Sequence, residues 1–182
     1  MKKQEIRNII SSLKKCIKLF DKEGISCREL RSRYAEIYVA SRLLRYNPQL
    51  GNKREDTGAD IYLKKIGKRI EVKAGKKYSM TGNADWAWTF GVKQISDKKF
   101  DFCVLLGFED EIDLKEVFIL SYDDIKNIPL KRPDLQTEDS TYIAYYKDYK
   151  NKVSKKEQKK CIVEYKLNTQ PKEYENKWDK IR

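Results

Sequence analysis

The sequence predicts an α/β fold, a mixed β-sheet flanked by α-helices. Three observations carry that prediction. Apolar residues at helical spacing fill the first 46 positions. Short apolar runs bounded by turn residues follow. The first two of those runs lie close enough to form a direct hairpin, which excludes a doubly wound parallel sheet.

Residues 3–22 place Ile6, Ile9, Ile10, Leu13, Ile17 and Phe20 on one helical face, and Gly24 ends the helix. Residues 28–46, RELRSRYAEIYVASRLLRY, predict a second helix with Leu30, Tyr34, Ile37, Ala40 and Leu44 in one stripe, closed by Pro48 and Gly51. NKREDTG is a polar loop. DIYLKK and KRIEVK then flank Ile66-Gly67 as a β-hairpin. A two-residue turn there sets Asp60 opposite Lys73 and Tyr62 opposite Glu71. Residues 75–90 read as irregular and 91–99 as a short helix. FDFCVLLGF and KEVFILS are strands. Ser121-Tyr122-Asp123-Asp124 has the pattern of a helix N-cap with an acid at the third helical position. TYIAYY and CIVEYKL are further strands, and PKEYENKWDKIR is a terminal helix anchored by Trp178. The length of 182 residues fits one domain. Its core spans about 28–130, with an N-terminal helix at 3–22 and a basic C-terminal extension at 147–182.

The formal net charge is +12, with 40% hydrophobic residues. That is enough apolar material for a core and more positive charge than a fold needs, so a polyanion, most simply nucleic acid, is the expected partner. Residues 147–182 carry twelve Lys/Arg against six Asp/Glu, half of the net charge. The four cysteines, Cys16, Cys27, Cys103 and Cys161, form no CxxC pair, and Cys103 in its apolar run reads as a core thiol. No stretch approaches membrane-spanning length, and the expected location is the cytoplasm. Histidine is absent. This excludes His general bases, Ser-His and Cys-His nucleophiles and the usual zinc sites.

An acid two residues before a lysine occurs eight times here and means little by itself. Three features single out Glu71 and Lys73. They lie in RIEVK, where Ile70 and Val72 take one strand face and Glu71 and Lys73 the other. The hairpin puts Asp60 and Tyr62 on that same face. Thr57-Gly58-Ala59 turns the chain into Asp60 at a strand rim. Two converging carboxylates without histidine suit a hard, oxygen-seeking cation such as Mg²⁺, with Mn²⁺ as a substitute. Such an ion polarises a phosphate and lowers the pKa of water, and Lys73 beside it offsets developing charge. Glu36 lies inside the second helix next to the apolar stripe. It is either an accessory acid of this site or the partner of Arg33 in a salt bridge. Lys53 and Arg54 precede Asp60, Lys76 and Lys77 follow Lys73, and Gln94 is a polar residue within reach, so these five are candidate DNA contacts. Trp86 and Trp88 read as anchors of core or loop.

The helical glutamate in RYAEIYVASRL, the aspartate in TGADIYL, EVK on the neighbouring strand and the apolar strand FDFCVLLGF together resemble the PD-(D/E)xK, or restriction-endonuclease-like, nuclease superfamily. The resemblance covers about residues 28–108. It departs at the residue before the aspartate, which is alanine. It implies a restriction-endonuclease-like mixed sheet, Asp60 and Glu71 as metal ligands, Lys73 as the catalytic lysine and Glu36 as an accessory acid. It further implies Mg²⁺-dependent hydrolysis of double-stranded DNA to 5′-phosphate and 3′-hydroxyl ends. The wording is most similar to type II and type IIS restriction enzymes. One active site cuts one strand, so a double-strand cut implies a homodimer or a small cleavage subunit working with a larger recognition subunit. The alternatives are a Holliday junction resolvase-like nuclease, a non-catalytic nucleic-acid-binding protein in which the three residues form ion pairs, and a structural interaction protein whose positive charge reflects a lysine-rich genome bias.

Overall fold

A computed structural model of the chain describes residues 3–51, 59–79, 86–93, 98–127, 140–147, 165–166 and 171–182. Two helices open it, α1 (Lys3–Lys22) and α2 (Arg28–Arg42), followed by a 3-10 turn at Leu44–Tyr46. The strands are β1 (Pro48–Leu50), β2 (Ile61–Leu63), β3 (Lys68–Lys76), β4 (Tyr78–Ser79), β5 (Trp86–Lys93), β6 (Phe102–Phe108), β7 (Leu114–Ser121), β8 (Ser140–Lys147) and β9 (Tyr165–Lys166). Short helices α3 (Tyr122–Asn127) and α4 (Pro171–Tyr174) and a 3-10 turn at Trp178–Lys180 complete the described elements.

The strands form two sheets, a five-stranded β1-β2-β3-β6-β7 and a four-stranded β4-β5-β8-β9. The first is mixed, because β3 pairs parallel with β6 while its other pairings are antiparallel. The α/β class with a mixed, helix-flanked sheet therefore holds. Alternation along β3 and β6 builds the layers. Ile70, Val72, Val104, Leu106 and Phe108 pack with α1 and α2 in one core cluster. Cys103 and Leu105 on the other face pack with Trp88, Phe90 and Val92 of the second sheet. Cys103 is thus the core thiol its sequence setting predicts. Trp88 is fully buried, and its indole N–H donates to the Phe108 carbonyl at 2.8 Å.

Several elements differ from the sequence expectation. Residues 75–90 are not irregular throughout: β3 runs through Lys76, β4 lies within the span and β5 begins in it at Trp86. Residues 91–93 belong to β5 and not to a short helix, because Phe90 and Val92 alternate into the second core cluster, a period of two. Pro48 starts a strand as well as closing the helix. Within α2 the buried set is Arg31, Tyr34, Ala35, Glu36, Val39 and Ala40, one step round from the expected stripe. Small Ala35 and Ala40 let the helix axis approach the sheet, and Ile37 moves to the margin. The terminal helix is two short pieces, although Trp178 is an anchor as expected, packing against Tyr38 and under Arg42. Ser121 and Asp124 form the reciprocal cap: Asp124 N–H donates to Ser121 Oγ at 3.0 Å, and Ser121 N–H donates to Asp124 Oδ2 at 2.7 Å.

The hairpin register also differs. Ile61 pairs with Ile70, Tyr62 with Arg69 and Leu63 with Lys68. The turn is four residues, because Ile66 and Gly67 both donate to the Leu63 carbonyl, at 3.2 and 2.9 Å, and Gly67 takes φ +63°. Tyr62 therefore faces Arg69 rather than Glu71, a shift of two. A shift of two leaves every side chain on its face, whereas a shift of one would have reversed them.

Candidate active site

Asp60 precedes β2 and is tied on two sides. Its carbonyl accepts from Gly51 N–H at 2.7 Å, and its Oδ2 accepts from Val72 N–H at 2.7 Å. The first bond comes from the end of β1, a strand the sequence did not reveal. The second brings the carboxylate onto the backbone of β3 between Glu71 and Lys73. Among the described residues, Oδ1 has no hydrogen-bond donor. Glu71 and Lys73 lie two apart on the β3 face away from α2's core cluster, and Lys73 Nζ pairs with Glu71 Oε1. Asp60, Glu71 and Lys73 are thus brought together at the junction of the hairpin and the parallel pair.

Glu36 approaches from α2. Only 9% of Glu36 and 9% of Glu71 is exposed, so both carboxylates are largely withdrawn from water. Glu36 accepts from Arg33 Nη1 at 2.6 Å, the ion pair that the sequence offered as its alternative role. The charges of Asp60 and Lys73 also act on Glu36, after burial and the bond from Arg33. Burial raises the pKa of all three carboxyls. For Glu71 burial and then the Asp60 charge outweigh the attraction of Lys73, and its pKa rises to about 7. Burial alone would depress Lys73, but the Glu71 carboxylate overcomes it and holds the ammonium above its usual value. Cys103 sits in register with Glu71 on β6, and complete burial pushes its thiol well up, so it contributes packing and no nucleophile.

The donor set consists of carboxylate oxygens with an ammonium alongside, which fits Mg²⁺ or Mn²⁺ and no soft metal. Among the described residues, no three Asp, Glu or Cys side chains meet as a ready-made metal cluster. An ion held by Asp60 and Glu71 would complete its shell with water and substrate phosphate, as Mg²⁺ commonly does.

The predicted DNA contacts fare differently. Lys76 Nζ pairs with Glu111 at 2.6 Å and Lys77 Nζ with Glu109 at 3.0 Å, both acids from the β6–β7 turn. Lys53, Arg54 and Gln94 lie outside the described residues. Sequence reasoning missed the Val72 N–H, which leaves no side-chain signal, whereas the i,i+3 spacing of Arg33 and Glu36 already carried their pair.

No family model matches the chain, and no curated protein matches it. Among solved structures it is similar to the bacterial homing endonuclease I-Ssp6803I, with a TM-score of 0.47 and 14% identity, over 84% of this chain and 89% of that one. A likeness of that degree carries no residue role from one chain to the other. Among the described residues, no helix is long and apolar enough to cross a membrane.

Proposed function

We propose that the chain is a divalent-cation-dependent DNA endonuclease of PD-(D/E)xK, restriction-like type. The observation that supports this most directly is the meeting of Asp60, Glu71 and Lys73 at one sheet junction, with Glu36 behind them. Asp60 and Glu71 would hold Mg²⁺, which when bound lowers the pKa of water and polarises the scissile phosphate. The chain's own residues do the rest. The Val72 N–H fixes the Asp60 carboxylate, so little reorganisation is left for the reaction. Lys73 neutralises Glu71 in the resting site and supplies a cation to the phosphate oxygens as negative charge develops. Glu36 keeps the negative field that favours a cation.

Lys73→Ala is the decisive variant. Supercoiled plasmid incubated with Mg²⁺ is cut by the native chain and not by Lys73→Ala, a loss of at least about 100-fold, while EDTA abolishes cutting by the native chain. Undiminished cutting by the variant would remove Lys73 from the chemistry. A second reading has an observation of its own. The Lys73–Glu71 pair is what a non-catalytic nucleic-acid-binding module would show. That reading requires DNA binding indifferent to EDTA and no cleavage with any divalent ion. Preference for a four-way junction over linear duplex would instead mark a resolvase. Because one such site cuts one strand, cleavage of both strands would call on a second copy of the chain or a recognition subunit.

A further inference from the structure

The cations on α2 and along Lys73–Lys77 are not equivalent. Lys73 is paired with Glu71, Lys76 with Glu111 and Lys77 with Glu109, and Arg31, also on α2, is buried against Glu111. Arg33 differs in two respects. Its side chain is 52% exposed while its partner Glu36 is only 11% exposed, so the guanidinium lies on the solvent side of the cluster. Glu36 occupies Nη1, and among the described residues no other acceptor meets the guanidinium. The Arg33 pKa is raised first by its bond to Glu36 and by the Glu36 charge, and to a lesser degree by the charges of Asp60 and Glu29. The backbone beneath it is rigid, a 15-residue helix packed on the sheet.

A guanidinium has five N–H donors in a planar fork that matches two phosphate oxygens. Arg33 therefore keeps Glu36 with one edge and presents the rest outward. We propose that Arg33 is a positioning residue that grips a DNA backbone phosphate at the mouth of this site. This rests on the nuclease reading above. The contact leaves the Glu36 pair intact, so it needs no bound ion. An i,i+3 pair serving structure alone would not engage DNA.

The test is the salt dependence of binding to a fluorescent 30-base-pair duplex, with EDTA present so that no strand is cut. Each phosphate contact contributes about 0.9 to the slope of log affinity against log salt. Arg33→Gln should lower the slope by about that amount and weaken binding several-fold at low salt. Arg33→Lys, which keeps the charge, should retain most of the slope. Lys15→Gln removes one exposed charge from α1 and should leave the slope near the native value. An unchanged slope in Arg33→Gln overturns the inference, and so does an equal drop in Lys15→Gln, which would mean diffuse charge and no contact. Failure of the native chain to bind duplex at any salt overturns the nuclease reading and this inference together. Native binding with an unaltered Arg33→Gln slope overturns only the role of Arg33.

Discussion

At the scale of single residues, the site is a place where charge is held against its preference. Glu36, Asp60 and Glu71 all have carboxyl pKa values raised by burial, and Glu71 reaches about 7. The unfolded chain releases these protons at ordinary carboxyl values, so between there and neutrality the folded state binds more protons than the unfolded state. Stability therefore falls as pH rises through about 5 to 7, in contrast with a salt-bridged carboxylate of depressed pKa. Thermal melts across that interval should show the melting temperature falling, and Glu71→Gln should flatten the fall. A native-like slope in Glu71→Gln would show that Glu71 is not the strained group. Added Mg²⁺ should restore stability at pH 8 in the native chain and less so in Glu71→Gln, because a ligand that binds only the folded state stabilises it. At this scale the sequence was informative. Asp60, Glu71, Lys73 and Glu36 stood out by residue type, alternation and the absence of histidine. What pins Asp60 is a backbone N–H, and no residue type announces that.

At the scale of elements, the central β3–β6 pair serves two layers. Gly75 and Gly107 face each other across it. A Cβ at Gly107 would meet the Trp88 ring at 2.7 Å, and one at Gly75 would meet Phe90 at 2.9 Å. The two glycines clear the space in which the second sheet lies against the first. Gly107→Ala should therefore destabilise the protein by about 1–3 kcal/mol through overpacking, read as a lower urea midpoint at unchanged slope. No loss would mean that Trp88 repacks freely. The sequence revealed FDFCVLLGF and KEVFILS because buried strands are continuous apolar runs. It concealed β5, because Trp, Thr, Gly and Ala in WAWTFGVK mix strand and loop signals. It also concealed β1, whose three residues are too few to show a period. The hairpin turn is two residues wider than the local pattern predicts, since the Leu63 carbonyl draws Lys64–Gly67 into it. The face assignment survived because side-chain alternation has a period of two.

At the scale of the molecule, the C-terminal end returns to the first helices. Ile181 is fully buried in the cluster that holds α2 against the sheet, and Trp178 packs on Tyr38 and Arg42. That closure supports the helix carrying Arg33 and Glu36. Ile181→Ala should cost about 2–4 kcal/mol in a denaturation curve, and a cost under 1 kcal/mol would show that this end is dispensable. By itself the sequence determined the charge, the helix-then-strand order, the lack of a histidine catalyst and the residue types able to hold a hard cation. These follow from composition and from periods of two and 3.6, which are local properties. Only the tertiary structure decided that a backbone N–H holds the Asp60 carboxylate, which lysines are already paired, and that Arg33 is half exposed while its partner Glu36 is withdrawn from water. Those outcomes depend on contacts between residues tens of positions apart. Burial and pairing across such separations are set by how the layers pack, and the local pattern of a chain does not contain them.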